Sequence, residues 1–357
     1  MSPWIWSRRV DLAVFALPTL LGAFVLAVAP PGRGTSELGF LVLVLCVDVA
    51  HVWATLFRTY FDREELRRRR ATYTLVPLGC FVLGALIHAR SASLFWSVLA
   101  YFAVVHFVRQ QVGWAAIYRA RAGERSRIDR VLDGAAIYLA TGVPLFRWHT
   151  SGRPFAWFLE GDFVDLSSLA PLVPVADALL VVALVAFVLR QLDRVRRGER
   201  PSVGKVVVVA STAVSWWLAI VVADGDLAFT ALNVLPHGLP YFALLYAYAR
   251  ARARTAPNTL ASKIAVLGVA PFLAVLVALA FGEEMLWDRL VWHDRPFLFG
   301  FLPALDTRSL AHLVVPLLAL PQATHYALDA ILWRRRDGGP AQAEAMGFRE
   351  ALRAPAE

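Results

Sequence analysis

The amino-acid sequence predicts an all-α fold: a polytopic transmembrane helical bundle of about ten spans with both termini cytoplasmic. Three observations predict it. Of the 357 residues, 58% are hydrophobic and only 18% charged, with a mean hydropathy of +0.56. Soluble domains hold about 45–50% apolar residues, so this excess calls for lipid as solvent. The apolar residues come in blocks of roughly 20, the length that crosses a ~30 Å hydrocarbon core as a helix. Finally, Lys and Arg fall in alternate connections between those blocks.

Taken in order, the predicted spans are 10–29, 37–57, 72–90, 93–118, 129–146, 171–190, 203–222, 227–249, 260–281 and 309–333. The first follows Arg8 and Arg9 and ends in Ala27-Val28-Ala29, which mimics a signal cleavage site; Pro30 argues against cleavage, so the block is read as a signal anchor. The fourth contains AVVHFVRQQVGW, where His106, Arg109, Gln110 and Gln111 interrupt an otherwise apolar run. In the eighth, LPHGLPY, Pro236 and Pro240 each remove a helix hydrogen bond and free the carbonyls of Leu232 and Pro236. Such a kink at membrane depth lines a cavity or serves packing. The connections 147–170 and 282–308 are long, aromatic and acidic. They predict interfacial helices or lids with Trp148, Trp157, Trp287 and Trp292 at headgroup level. Residues 1–336 form one integral-membrane domain in this reading, and 337–357 a solvated tail.

The net charge of +9 suggests nucleic acid only if its placement is ignored. Segments 1–9, 58–70, 119–130, 190–205, 250–263 and 334–353 together hold 28 of the 36 Lys and Arg; the alternate connections hold 7, and Arg109 lies within a span. Basic loops are retained in the cytoplasm, which sets the orientation and places the chain in the cell membrane. The cluster REELRRRR is therefore a topology signal, with anionic headgroups as a secondary partner, and no nucleic acid is implied. Cys46 and Cys80 both lie in apolar blocks and read as packing residues, not as a disulfide or zinc site.

Four of the eight histidines, His88, His149, His293 and His312, fall at span ends or in connections. The others, His51, His106, His237 and His325, lie on spans 2, 4, 8 and 10, which run in one direction. Counting to the next basic residue at 1.5 Å per residue sets all four roughly 10–20 Å below the cytoplasmic boundary. They share the inner half of the bilayer, and the depths fit either one point or two layers. Each has a polar companion at helical spacing: Asp48 for His51, Arg109 and Gln110 for His106, Asn233 for His237, and Gln322 with Asp329 for His325. A metal-bound imidazole usually donates its second N–H to such a group. Arg109 cannot lose its charge, and a charge at a helix centre costs about 2.5–3.5 kcal/mol, so it is expected to pair with Asp48 or Asp329.

These residues point first to a membrane metalloenzyme. Its metal ligands are His51, His106, His237 and His325, its candidate catalytic groups Asp48, Arg109 and Asp329, and its supporting groups Gln110, Asn233 and Gln322. Imidazoles suit iron, with zinc and copper as alternatives. A site at this depth implies a hydrophobic small-molecule substrate and, with iron, oxygen-dependent hydroxylation, desaturation or cleavage. In outline the arrangement resembles the bacterial carotene-cleaving membrane dioxygenases, which set histidines from several spans around a non-haem iron. The HxxxH and HxxHH boxes of membrane desaturases are missing. The same residues also fit a proton relay in a coupled transporter, although no internal repeat is visible. Haem ligation and a non-catalytic scaffold complete the alternatives. His312 and His325, 13 residues apart, are turned about 220° from each other and point to different sides. There is no GxGxxG, P-loop or GxSxG motif.

Overall fold

In lipid every backbone N–H and C=O needs an internal partner, and the apolar blocks satisfy this by coiling into helices. The computed structural model describes residues 3–29, 31–32, 34–152, 156–333 and 339–348. It is 79% helical, with no strand among the described residues. Eight helices are long and apolar enough to cross a membrane: α1 (Arg8–Val28), α2 (Glu37–Arg58), α3 (Arg70–Arg90), α4 (Ala92–Arg121), α6 (Ser167–Arg196), α7 (Val203–Val222), α8 (Asp226–Arg252) and α9 (Val269–Trp292). Between them, α5 (Arg127–Thr150) is long enough but less apolar.

Two predicted spans differ from expectation. The block at 260–281 is broken: Leu260–Val266 is a separate short helix, Gly268 takes φ +118°, and α9 runs on to Trp292. A positive φ is open to glycine and ends the first helix there. The block at 309–333 is split at Ala319 into α10 (Ala311–Leu318) and α11 (Leu320–Leu332). Pro321 follows the break at the second position of α11, where its missing N–H costs nothing.

Local sequence fixes most other ends. Ser7, Ser91 and Ser126 accept backbone N–H bonds at the starts of α1, α4 and α5. Pro236 and Pro240 leave α8 continuous, and it is the most enclosed of the eight. It packs on α1, where Gly22 admits Leu232, and on α2, where Gly238 admits Val47. Helix α2 is unusual: residues Phe40–Val49 are wound as a π-helix and Thr55–Arg58 as a 3₁₀ turn. Stretches of π-helix often mark functional positions because they turn a side chain out of the regular register. Asp48 and His51 lie across this transition.

The two ends of the bundle differ. At the basic end, many basic residues have acidic partners. Lys205, fully buried, meets Glu124 at 2.5 Å and Asp133 at 3.0 Å, while Arg190 and Arg194 bind Asp129. Residues 339–348, expected in a solvated tail, pack there instead. Helix α12 (Pro340–Ala345) lies on α8, and Arg58 donates to Gln342 at 3.0 Å. Met346 and Phe348 are buried, because the apolar face of this short segment has a cleft to fill. Residues 337–338 and 349–357 lie outside the described residues, as does Pro30. At the opposite, aromatic end, Trp148 and Trp287 are buried in the bundle, while Trp292 is 40% exposed. Asp162 accepts the N–H groups of Trp157, Phe158 and Leu159, a turn that aims Trp157 inward onto Phe107.

Candidate metal centre

The π-wound α2, the middle of α4, the proline-flanked middle of α8 and the start of α11 bring His51, His106, His237 and His325 together. One side-chain nitrogen from each lies within 4.8 Å of all the others, and each residue is 5% exposed or less. The Nε2 atoms of His51 and His237 are 3.1 Å apart, as are those of His106 and His325. The histidines thus form one point, not two layers. A tetrahedral ion with metal–nitrogen bonds of about 2.0–2.1 Å needs ligand separations of roughly 3.3 Å. The observed spacings bracket that value. Ring centroids lie 4.5–5.0 Å apart, which leaves no slot for a porphyrin between these four rings as they stand.

The second nitrogens of three rings face polar groups. His51 Nδ1 faces Asp48 at 3.7 Å, and His106 Nδ1 faces Asp329 at 3.7 Å. His325 Nδ1 is bonded to Thr55 Oγ1 at 2.7 Å. Ligating imidazoles commonly turn their second nitrogen toward such a carboxylate or hydroxyl, which leaves the other nitrogen free for a metal. His237 is held differently, stacked on Phe107 at 3.6 Å between centroids with 9° between planes.

Several predicted companions are placed elsewhere. Arg109 does not pair with Asp48 or Asp329. It points out of the bundle and donates to Tyr138 Oη at 3.0 Å. One turn of helix separates it from His106, but its long side chain turns outward to Tyr138 instead of toward the histidines. Asp329 serves His106 across the helix interface instead of His325 on its own helix, and it accepts from Trp333 at 2.5 Å. Gln110 is buried but bonds no histidine, and neither do Asn233 or Gln322; Asn233 donates to the Phe229 carbonyl. Thr55 is absent from the sequence reading, since a lone threonine four residues from His51 gives no sign that it serves His325. His149 is bonded to Tyr101 and to the Leu145 carbonyl, away from the cluster.

Two cavities reach the cluster and a third stops beside it. The largest, about 360 Å³, runs from the aromatic end to Asp48, Asn233 and Phe107 and is lined also by Glu284, Asp294 and Arg295; none of the four histidines lines it, but Asp48 faces His51 and Phe107 stacks on His237. A second, about 220 Å³, reaches His106 between α4, α8 and α11; apart from Arg109, Gln110 and Asp329 it is mainly apolar. A third, about 240 Å³, reaches His325 beside Pro77 and Pro321, with no charged side chain in its wall. The centre therefore has one polar approach and two largely apolar ones.

No protein-family model, no curated protein and no solved structure matches this chain. The likeness to carotene-cleaving dioxygenases rests on the gathering of histidines from several helices alone.

Proposed function

We propose that the chain is an integral membrane metalloenzyme whose four histidines hold one ion and whose substrate is a hydrophobic small molecule delivered from the bilayer. The single observation that carries this reading is the convergence of four buried imidazole nitrogens, with a carboxylate or hydroxyl beside three of the rings. Such outer partners orient ligating imidazoles. Iron fits the donor set, with zinc and copper as alternatives. Bound iron would supply oxygen-dependent oxidation. The chain's own part is to hold four rings in place, to fix their tautomers through Asp48, Asp329 and Thr55, and to seat an apolar chain against His106 or His325. The largely apolar walls of the second and third cavities support a lipid-soluble substrate. In this reading the basic end faces the cytoplasm, ten segments cross the cell membrane, and both termini are cytoplasmic.

Proton-coupled transport is the second reading. It is favoured by the placement of a polar cavity and a second cavity on different sides of the cluster. Metal content decides between them. Purified wild type should carry near-stoichiometric iron, zinc or copper by inductively coupled plasma mass spectrometry, and His106→Ala and His237→Ala should lose it while keeping the wild-type size-exclusion profile. Metal-free wild type, purified without chelators, would move the weight to transport or to a scaffold.

A further inference from the structure

The polar cavity has a composition that the metal centre alone does not explain. Four of its lining residues are acidic, Asp48, Glu284, Asp288 and Asp294, against a single Arg295. Asp288 is already used: it pairs with Arg289 and accepts the backbone N–H groups of Asp294 and Arg295 at 3.0 and 2.7 Å. Arg295 is drawn aside, its guanidinium 4.5 Å over the Phe40 ring and 3.6 Å from Glu37. Glu284 has neither a hydrogen bond nor an ion pair among the described residues, and Asp294 has a loose contact with its neighbour Arg295 at 3.8 Å and a side-chain hydrogen bond with Asp288. At the floor, Asn233 is 5% exposed, and its side-chain oxygen has no hydrogen-bond partner. An unbonded amide oxygen in a buried place loses the full cost of its desolvation unless a ligand answers it.

These groups form a descending series. Asp294 is exposed at the mouth, Glu284 lies in the wall, and Asp48 and Asn233 lie at the floor beside His51 and His237. Hard oxygen donors lead to soft imidazole nitrogens, which suits a hydrated divalent transition cation shedding water as it advances. The other approaches do not suit a cation. The second cavity presents the exposed Arg109, and its Asp329 is engaged with Trp333 and His106. The third presents no charge at all.

We infer that the acidic cavity is the route by which the four-histidine centre takes up its metal from the aromatic end of the bundle, with Asp294 and Glu284 as the capturing groups and Asn233 and Asp48 as the last oxygen stations. This rests on the metal-centre reading. A cleft of one charge sign raises the association rate of an oppositely charged ligand by about 10–10³-fold, most strongly at low salt. Equilibrium occupancy is set by the histidines and is left unchanged.

The test uses metal-stripped full-length protein in detergent and Co²⁺ as the probe, its visible absorption followed by stopped flow. The Glu284→Gln/Asp294→Asn double variant keeps the side-chain volumes and removes two charges. It should fill at least about tenfold more slowly at low ionic strength and reach the wild-type stoichiometry. Gly113→Leu is the comparison: Gly113 lines the second cavity, and a Cβ there meets open space, so the variant narrows that approach alone. It should fill at the wild-type rate. A double variant as fast as wild type, or a slow Gly113→Leu, would place the route elsewhere. If wild type binds no Co²⁺, or binds it equally well after His106→Ala and His237→Ala, the metal centre itself is wrong, and that result is distinct from a misplaced route.

Discussion

Gly238→Ala is the change of one carbon that most sharply tests how the centre is held. Gly238 follows His237 on α8, and a Cβ added there lies 2.7 Å from Val47 Cγ1, 3.5 Å from the Val47 carbonyl oxygen and 3.7 Å from His51 Cβ. Carbon atoms in contact prefer about 3.5–4.0 Å, so α2 and α8 must separate by several tenths of an ångström. Val47 cannot simply rotate away, because a β-branched side chain in a helix has one strongly preferred rotamer. Two opposed effects set the sign. Alanine in place of glycine gains about 0.8–1.0 kcal/mol of helix propensity. Overpacking a tight contact costs about 1–3 kcal/mol. The balance is a loss of up to about 2 kcal/mol, and the same separation opens the 3.1 Å approach of His51 and His237. Metal sites tolerate only about ±0.2 Å in their ligand distances, so affinity should fall more than stability does. The assay is Co²⁺ titration together with a thermal melt, run on Gly238→Ala, Val47→Ala and the double variant. Removing Cγ1 in Val47→Ala relieves the clash, so the double variant should recover affinity lost by Gly238→Ala, a coupling of roughly 0.5–3 kcal/mol. A Gly238→Ala protein with wild-type affinity and a raised melting temperature would refute the reasoning, because propensity alone would then be acting.

Two further predictions concern groups around the centre and at the basic end. Thr55→Val removes the hydroxyl bonded to His325 Nδ1 while keeping the shape, and should weaken metal binding about 10–100-fold, whereas Thr55→Ser should not; equal affinities for the two would show that Thr55 orients nothing. Burial alone pushes the Asp62 carboxyl up, but Arg252 at 2.6 and 3.0 Å, the Glu65 N–H that it caps and the Tyr248 hydroxyl outweigh this and hold it below the usual carboxylate range. A depressed folded-state pKa contributes stability that is present above the unfolded value of about 3.9 and is lost as pH falls through the folded value. The melting temperature of wild type should therefore drop more steeply than that of Asp62→Asn as pH is lowered from about 5 through that range. Parallel slopes would remove Asp62 from the account.

How far the sequence reaches is clearest in the four histidines. Composition and block length determined an all-helical chain suited to lipid, because those quantities depend only on each residue's own cost of transfer from water. Depth along each helix follows from a fixed rise per residue, so it could be counted that four imidazoles share one slab. What counting cannot supply is rotation about the helix axes and distance between them. These depend on how side chains interlock across interfaces, on Gly238 letting α8 approach α2 and on the π-winding that turns Asp48 and His51. Hence Asp48 stayed with its own helical neighbour, as spacing implies, while Asp329 crossed to His106 and Thr55 crossed to His325. Arg109 shows the same limit: its charge demanded a polar setting, but only packing could send it outward to Tyr138 instead of inward to a carboxylate. The break at Gly268 and the docking of residues 339–348 were settled likewise, by backbone freedom at one residue and by an apolar cleft that the short C-terminal segment could fill. Local chemistry therefore singled out the four histidines, and the contacts between helices decided which polar groups would stand beside them.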